Sequence, residues 1–305
     1  MFKKMFPRKK QRWGLALIAV GLVIVILGAL WMTVLFPSMN VMQCDMDSIT
    51  YETGTVTVLN TSALYSEGTI QYITYNVTLT REVEAVNCSG NTIYLSENVS
   101  MVDSDTGIPL TMLTSNTLMA IDRKTRMYVT NADPEHKNGY FCTPAGVTKD
   151  DVLDVWITGN PGTIKSHYDG EGNLDGLHVM YRAANTPEDG LTVPSTNTTP
   201  EMKVYAQYQS KCEPVTGEDV WASSSTTRTM LVNGNEITVY QDNLTFTHAT
   251  TANMVQDAKN NKSKVILFGT TMPWVIIAIG LLEIVLGVWM SRRPKIIKHA
   301  PANKK

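Results

Sequence analysis

The chain has 305 residues, is 43% hydrophobic and 18% charged, and carries a formal net charge of −2. That near-neutral sum conceals a division: residues 37 to 264 hold fourteen Lys and Arg against twenty-seven Asp and Glu, while twelve basic residues lie toward the two ends. An acidic middle of this kind excludes nucleic acid as the natural partner, and its 228 residues suffice for a substantial core.

Residues 1–13 form a basic tail with Lys3, Lys4, Arg8, Lys9, Lys10 and Arg12. Residues 14–36, GLALIAVGLVIVILGALWMTVLF, contain neither charge nor proline. At about 1.5 Å per residue a helix of that length reaches roughly 35 Å, enough to cross a hydrocarbon core of about 30 Å. The exit reads FPSMNVMQC, without a small-x-small cleavage site, so this reads as a retained anchor rather than a signal peptide.

From residue 37 to 250, β-branched and aromatic residues alternate in short runs broken by Gly, Asn and Ser, as in GTIQYITYNVTLTREVEAVN and MKVYAQYQ. These are strand signals, and they predict a mostly β domain of sandwich- or barrel-like antiparallel sheets with roughly ten to fourteen strands. The run TLMAIDRKTRMYVT reads as a hairpin turning at RKT, and residues 131 to 163 as a long irregular crossing with one short helix near Lys149 to Val155. Residues 251–264, richer in helix formers, predict a membrane-proximal helix leading into a second span at 265–290. The tail at 291–305 is again basic, with Arg292, Arg293, Lys295, Lys298, Lys304 and Lys305. The positive-inside rule then puts both tails in the cytosol and the β domain outside the cell. Trp13 and Trp289 at the inner ends of the spans, and Trp31 and Trp274 toward the outer ends, fit the interfacial preference of indole.

All four cysteines, Cys44, Cys88, Cys142 and Cys212, fall in the acidic segment. Outside the cell they would pair; three pairings exist, and chain order favours Cys44 with Cys88 and Cys142 with Cys212. Sequons stand at Asn60, Asn76, Asn87, Asn98, Asn197, Asn243 and Asn261, which agrees with an outside, glycosylated domain. In the spans, Gly21 and Gly28 are seven residues apart, as are Gly280 and Gly287, a spacing that predicts close packing of the two helices. Glu283 is the one charged residue of either span and a candidate for a transport or partner-binding role.

No G-x-S-x-G elbow, Walker loop, H-E-x-x-H helix or dinucleotide fingerprint occurs, so neither catalysis nor a cofactor is predicted. Asp169, Glu171, Asn173 and Asp175 alternate as calcium ligands do, but Leu174 stands where an EF-hand loop needs glycine, and the site is a weak one. Asp103 and Asp105 match a phosphatase nucleophile loop only in part, since Gly107 replaces its threonine.

The order of features, AIDRKT near residue 120, Pro161 to Thr163, EPVTG at Glu213 to Gly217, NLTFTHATT before a helix, and the rhythm Pro273, Gly280, Gly287, resembles the actinobacterial envelope family described as porin PorA. That resemblance implies an envelope protein with two terminal spans, and it transfers no site residue. Two helices per chain cannot enclose a water-filled pore, so a channel would require a homo-oligomer. By topology alone the layout is also similar to class B scavenger receptors, whose ectodomain handles lipid. The leading expectation is a non-enzymatic protein whose ectodomain binds an envelope protein or lipid close to the bilayer. Transport, as an oligomeric channel or a lipid-handling domain, is the alternative.

Overall fold

The computed structural model describes residues 6–156, 162–195, 200–232 and 235–292. In chain order its helices are α1 (Phe6–Leu30), α2 (Phe36–Met39), α3 (Thr61–Glu67), α4 (His248–Ile266) and α5 (Met272–Ser291). Its strands are β1 (Asp47–Leu59), β2 (Tyr72–Ser89), β3 (Thr92–Asp103), β4 (Ser115–Asp122), β5 (Leu153–Trp156), β6 (Thr163–Leu174), β7 (Leu177–Asn185), β8 (Leu191–Val193), β9 (Met202–Glu213), β10 (Glu218–Val232) and β11 (Asn235–Phe246). The chain divides into two compact units, residues 1–40 with 264–305, and residues 41–263.

In the first unit α1 packs along α5. Gly14, Gly21 and Gly28 recur every seven residues, as do Pro273, Gly280 and Gly287, and the two series meet running in opposite directions. A Cβ on Gly21 would lie 2.5 Å from the Gly280 carbonyl oxygen, and one on Gly14 2.6 Å from that of Gly287. Glycine is what lets the two backbones approach this closely. π-helical turns at Trp31–Leu35 and Leu267–Thr271 interrupt the α-helical hydrogen-bond ladder. The Phe268 carbonyl, within the second turn, accepts a 2.8 Å bond from Trp31 Nε1 in the first. Arg12–Leu35 and the continuous run His248–Ser291 are helices long and apolar enough to cross a membrane.

The second unit is built on one antiparallel sheet in the order β4-β3-β2-β1-β11-β10-β9-β7-β6-β5, with β8 beside β9. β1 is its axis, paired with β2 from Asp47↔Glu84 to Leu59↔Tyr72 and with β11 from Glu52↔Phe246 to Val58↔Tyr240. The sheet curls as a half-barrel, and single bridges Ile121↔Tyr128, Met127↔Tyr140 and Tyr140↔Val155 carry pairing from β4 across to β5. One core cluster gathers Val56, Val77, Leu79, Met101 and Leu244, and a second gathers Ile93, Leu95, Met119 and Ile121. Val255 and Ala258 of α4 are buried against Val179 and Val220. The Thr247 hydroxyl caps α4 by accepting from Thr250 N at 3.1 Å.

Several local expectations are corrected. The chain does reverse at RKT, where Asp122 N donates to the Met127 carbonyl and Val129 N to the Ala120 carbonyl, both at 2.8 Å, but the returning limb forms only an isolated antiparallel bridge, Ile121↔Tyr128, rather than a full strand. Asp122 Oδ1 holds the turn by accepting from Lys124 N at 3.0 Å and Thr125 N at 2.7 Å. The segment at Lys149 to Val155 is not a helix, because Leu153 and Val155 pair with Ser166 and Ile164 and are drawn into the sheet as β5. Between β1 and β2, Asn60 Oδ1 accepts from Ala63 N and Gly68 closes the turn at φ 67°, so a short helix, α3, interrupts the strand-rich run.

Candidate ligand cavity

The two-residue period of a strand decides what faces the inside of the half-barrel. On β11 it aligns Tyr240, Asp242, Leu244 and Phe246, on β10 Ala222, Ser224, Thr226 and Arg228, on β2 Leu79 and Arg81, and on β3 Val99 and Met101. With Glu52 of β1, Tyr208 of β9, the Met112 to Ser115 segment, Phe141, Val155 and Trp156, they line a cavity of about 650 Å³. That volume lies within the range of small-molecule sites.

Its lining mixes apolar with polar side chains and includes charged groups. Arg81 Nη2 stands 3.8 Å from Glu52 Oε1, and Arg81 Nε stands 3.5 Å from Glu97 Oε1. Both carboxylates are nearly inaccessible, whereas the Arg81 side chain keeps 38% of its surface. Arg81 is on β2, with β1 on one side and β3 on the other, and it lines the cavity. That surface is therefore cavity wall. Burial pushes the Glu52 carboxyl up, with Arg81 acting in the opposite sense. Burial also works against the charge on Arg81, but Glu52 and Glu97 together outweigh it and raise the guanidinium's pKa.

Asp242 Oδ1 accepts from Thr226 N at 2.9 Å, and burial raises its carboxyl above the ordinary range while the hydrogen bond to Tyr240 acts downward. The Arg228 guanidinium lies over the Tyr240 ring, 5.2 Å from its centroid. Trp156 meets Tyr128 edge to face at 6.5 Å, and its buried Nε1 has no hydrogen-bond partner among the described residues. An indole N–H usually finds an acceptor when buried. The arrangement offers apolar surface to a hydrocarbon chain and charged and polar partners to a polar group.

None of these residues was singled out by motif or spacing, yet a signal was present. Arg81 falls in phase with buried Val77, Leu79 and Val83, and Asp242 in phase with Leu244. A charge at an apolar-phase position of a strand has to be paired or to serve a site.

The residues that the sequence did single out lie elsewhere. Cys44 and Cys88 form a disulfide. The expected partnership of Cys142 with Cys212 is not formed, and both are thiols. Cys212 Sγ is directed at the Met180 carbonyl of the neighbouring strand at 3.6 Å, and Cys142 is engaged by the Arg126 guanidinium, so each has a local partner. Burial pushes the Cys142 thiol up to about 11 and the Cys212 thiol to about 12.

The acidic alternation at β6 does not gather into a metal cluster among the described residues. Glu171 pairs with Lys149 at 2.9 Å, Asn173 Oδ1 accepts from Gly176 N at 2.7 Å, Asp169 stands beside the bulge at Gly170, and Asp175 occupies the turn at φ 49°. Among the sequons, Asn76, Asn87, Asn98 and Asn243 are exposed, Asn60 caps α3, and Asn261 Nδ2 donates to Glu218 Oε1 at 2.8 Å. Asn197 lies outside the described residues. Glu283 is half-buried on α5, and its Oε2 has no hydrogen-bond partner among the described residues.

No match is found among curated proteins. The profile of the family described as porin PorA matches residues 13–150 and 161–289. The match takes in nearly all of both apolar helices and every strand except β5, and the chain belongs to the porin PorA family.

Proposed function

We propose that this chain is a two-pass protein of the cell envelope, with both basic tails cytosolic and the β unit outside. In this reading the β unit is a non-enzymatic binding module that takes an envelope amphiphile into its cavity. The observation that carries it is the cavity itself: about 650 Å³, with Leu79, Met101, Leu244 and Phe246 in its wall beside Arg81 and Glu52. The Lys and Arg residues flanking both apolar helices support the orientation. The Cys44–Cys88 disulfide supports an oxidising compartment for the β unit. The exposed sequons are compatible with glycosylation there.

The test is the organic-extractable content of the purified full chain, compared with that of Ala222→Phe, which fills part of the cavity. About one amphiphile per wild-type chain and its loss from the variant support the reading. Equal amounts in both proteins would mean lipid bound outside the cavity and would overturn it. The family's description favours a second reading, an oligomeric channel. It is tested by conductance of the reconstituted protein in liposomes.

A further inference from the structure

The balance of groups in the cavity carries the ligand's chemistry further, on the footing that the cavity is a binding site. We infer that the amphiphile it accepts has a neutral, hydroxyl-rich headgroup, as a glycosyl lipid does, and not an anionic one. Of the carboxylates lining the cavity, Glu135 is paired with Lys137 at 3.0 Å, which leaves Glu52 and Asp242 to balance the guanidiniums of Arg81 and Arg228. Glu97 adds a further carboxylate 3.5 Å from Arg81. A phosphate or carboxylate brought to Arg81 would therefore meet Glu52 and Glu97 on either side of its partner, in a site already short of solvent.

A cationic head would face Arg81 and Arg228 in the same way. A hydroxyl escapes both conflicts, because it donates to a carboxylate and accepts from a guanidinium or an indole N–H. The acceptor that Trp156 Nε1 lacks among the described residues is what such a hydroxyl oxygen supplies. Burial raises the carboxyl groups of both Glu52 and Asp242, which is the response of a site that resists added negative charge. Leu79, Met101 and Leu244 offer the apolar length for an acyl chain.

The experiment is native mass spectrometry of the full chain in lauryldimethylamine oxide, a detergent without a sugar. Glucosyl diacylglycerol, phosphatidylglycerol and unsubstituted diacylglycerol, all with the same acyl chains, are supplied in competition. The expected order of retention is glucosyl lipid first, diacylglycerol second and phosphatidylglycerol last. Trp156→Phe, which keeps the ring and removes the N–H, should lower retention of the glucosyl lipid roughly fivefold, the loss of one hydrogen bond. Phosphatidylglycerol retained as well as or better than the glucosyl lipid would overturn the headgroup assignment and leave the cavity as a lipid site. Retention of none of the three would overturn the cavity reading as well. Unchanged retention by a Trp156→Phe protein of wild-type melting temperature would remove the indole from the headgroup site.

Discussion

Lys262 Nζ lies 2.8 Å from Glu213 Oε1, a carboxylate whose side chain is 0% accessible. The pair ties α4 to β9, and Glu213 Oε2 is held at the same time by Thr216 N at 2.8 Å and Thr216 Oγ1 at 3.0 Å. Removing one partner of a buried pair leaves the other charge uncompensated, at a cost of about 3–5 kcal/mol. Lys262→Met should therefore destabilise the β unit by about 3 kcal/mol, because Lys262 is itself only partly shielded. Glu213→Gln, which keeps an acceptor for Thr216, should cost less. Thermal unfolding of both variants, with amide exchange across α4, checks the order.

Gly54 on β1 sits against the backbone of Asn243 on β11, and a Cβ there would run into the Asn243 carbonyl oxygen. Nothing flexible can move aside, since the obstacle is the sheet's own main chain. Gly54→Ala should cost about 3 kcal/mol, the upper part of the overpacking range. By contrast, Gly162→Ala meets nothing within 4 Å and serves as the control.

The helix pair of the first unit makes a graded prediction. A Cβ at Gly21 or Gly280 meets opposing backbone oxygen at 2.5 Å or 2.7 Å, whereas at Gly28 the nearest atom is the Ile277 side chain, which can rotate away. Gly21→Ile and Gly280→Ile should separate the helices, with Gly28→Ala tolerated. Cysteine cross-linking or inter-helix distances from spin labels on α1 and α5 would report the difference. Equal tolerance at the three positions would contradict close backbone packing.

Asp242 has a folded-state pKa raised by burial above its ordinary 3.8. A carboxyl shifted upward contributes its full stability below the unfolded pKa and loses it as pH rises through the folded one. Asp242→Asn, which retains an acceptor for Thr226 N, should therefore be more stable than wild type at pH 7, and the gap should close as pH falls toward 3.8. Melting temperatures from pH 3.5 to 8 test the sign.

Much of this fold was legible in the chain, and the reasons are local. Alternating β-branched residues identify β2, β9 and β11 because each strand has one buried face, and the apolar runs identify α1 and α5 because no charge interrupts the first from Gly14 on and Glu283 alone interrupts the second. β5 was not legible, since its four residues become a strand only through pairing with Thr163–Ser166 far from any local signal. Gly14 continues the interval of Gly21 and Gly28, but it opens the apolar run beside the basic tail, and only the packing of α5 shows it to be part of the same contact. The cavity was hidden for a different reason. Arg81, Trp156 and Asp242 form no motif in sequence, and only the curl of the sheet brings β2, β5 and β11 around one space.

The central claim is that the β unit of a single chain holds an amphiphile. Native mass spectrometry of the protein released gently from its own membrane tests this most directly. The account predicts a single chain carrying one retained lipid-sized mass, lost in Ala222→Phe. A discrete oligomer without bound ligand would contradict it and favour a channel.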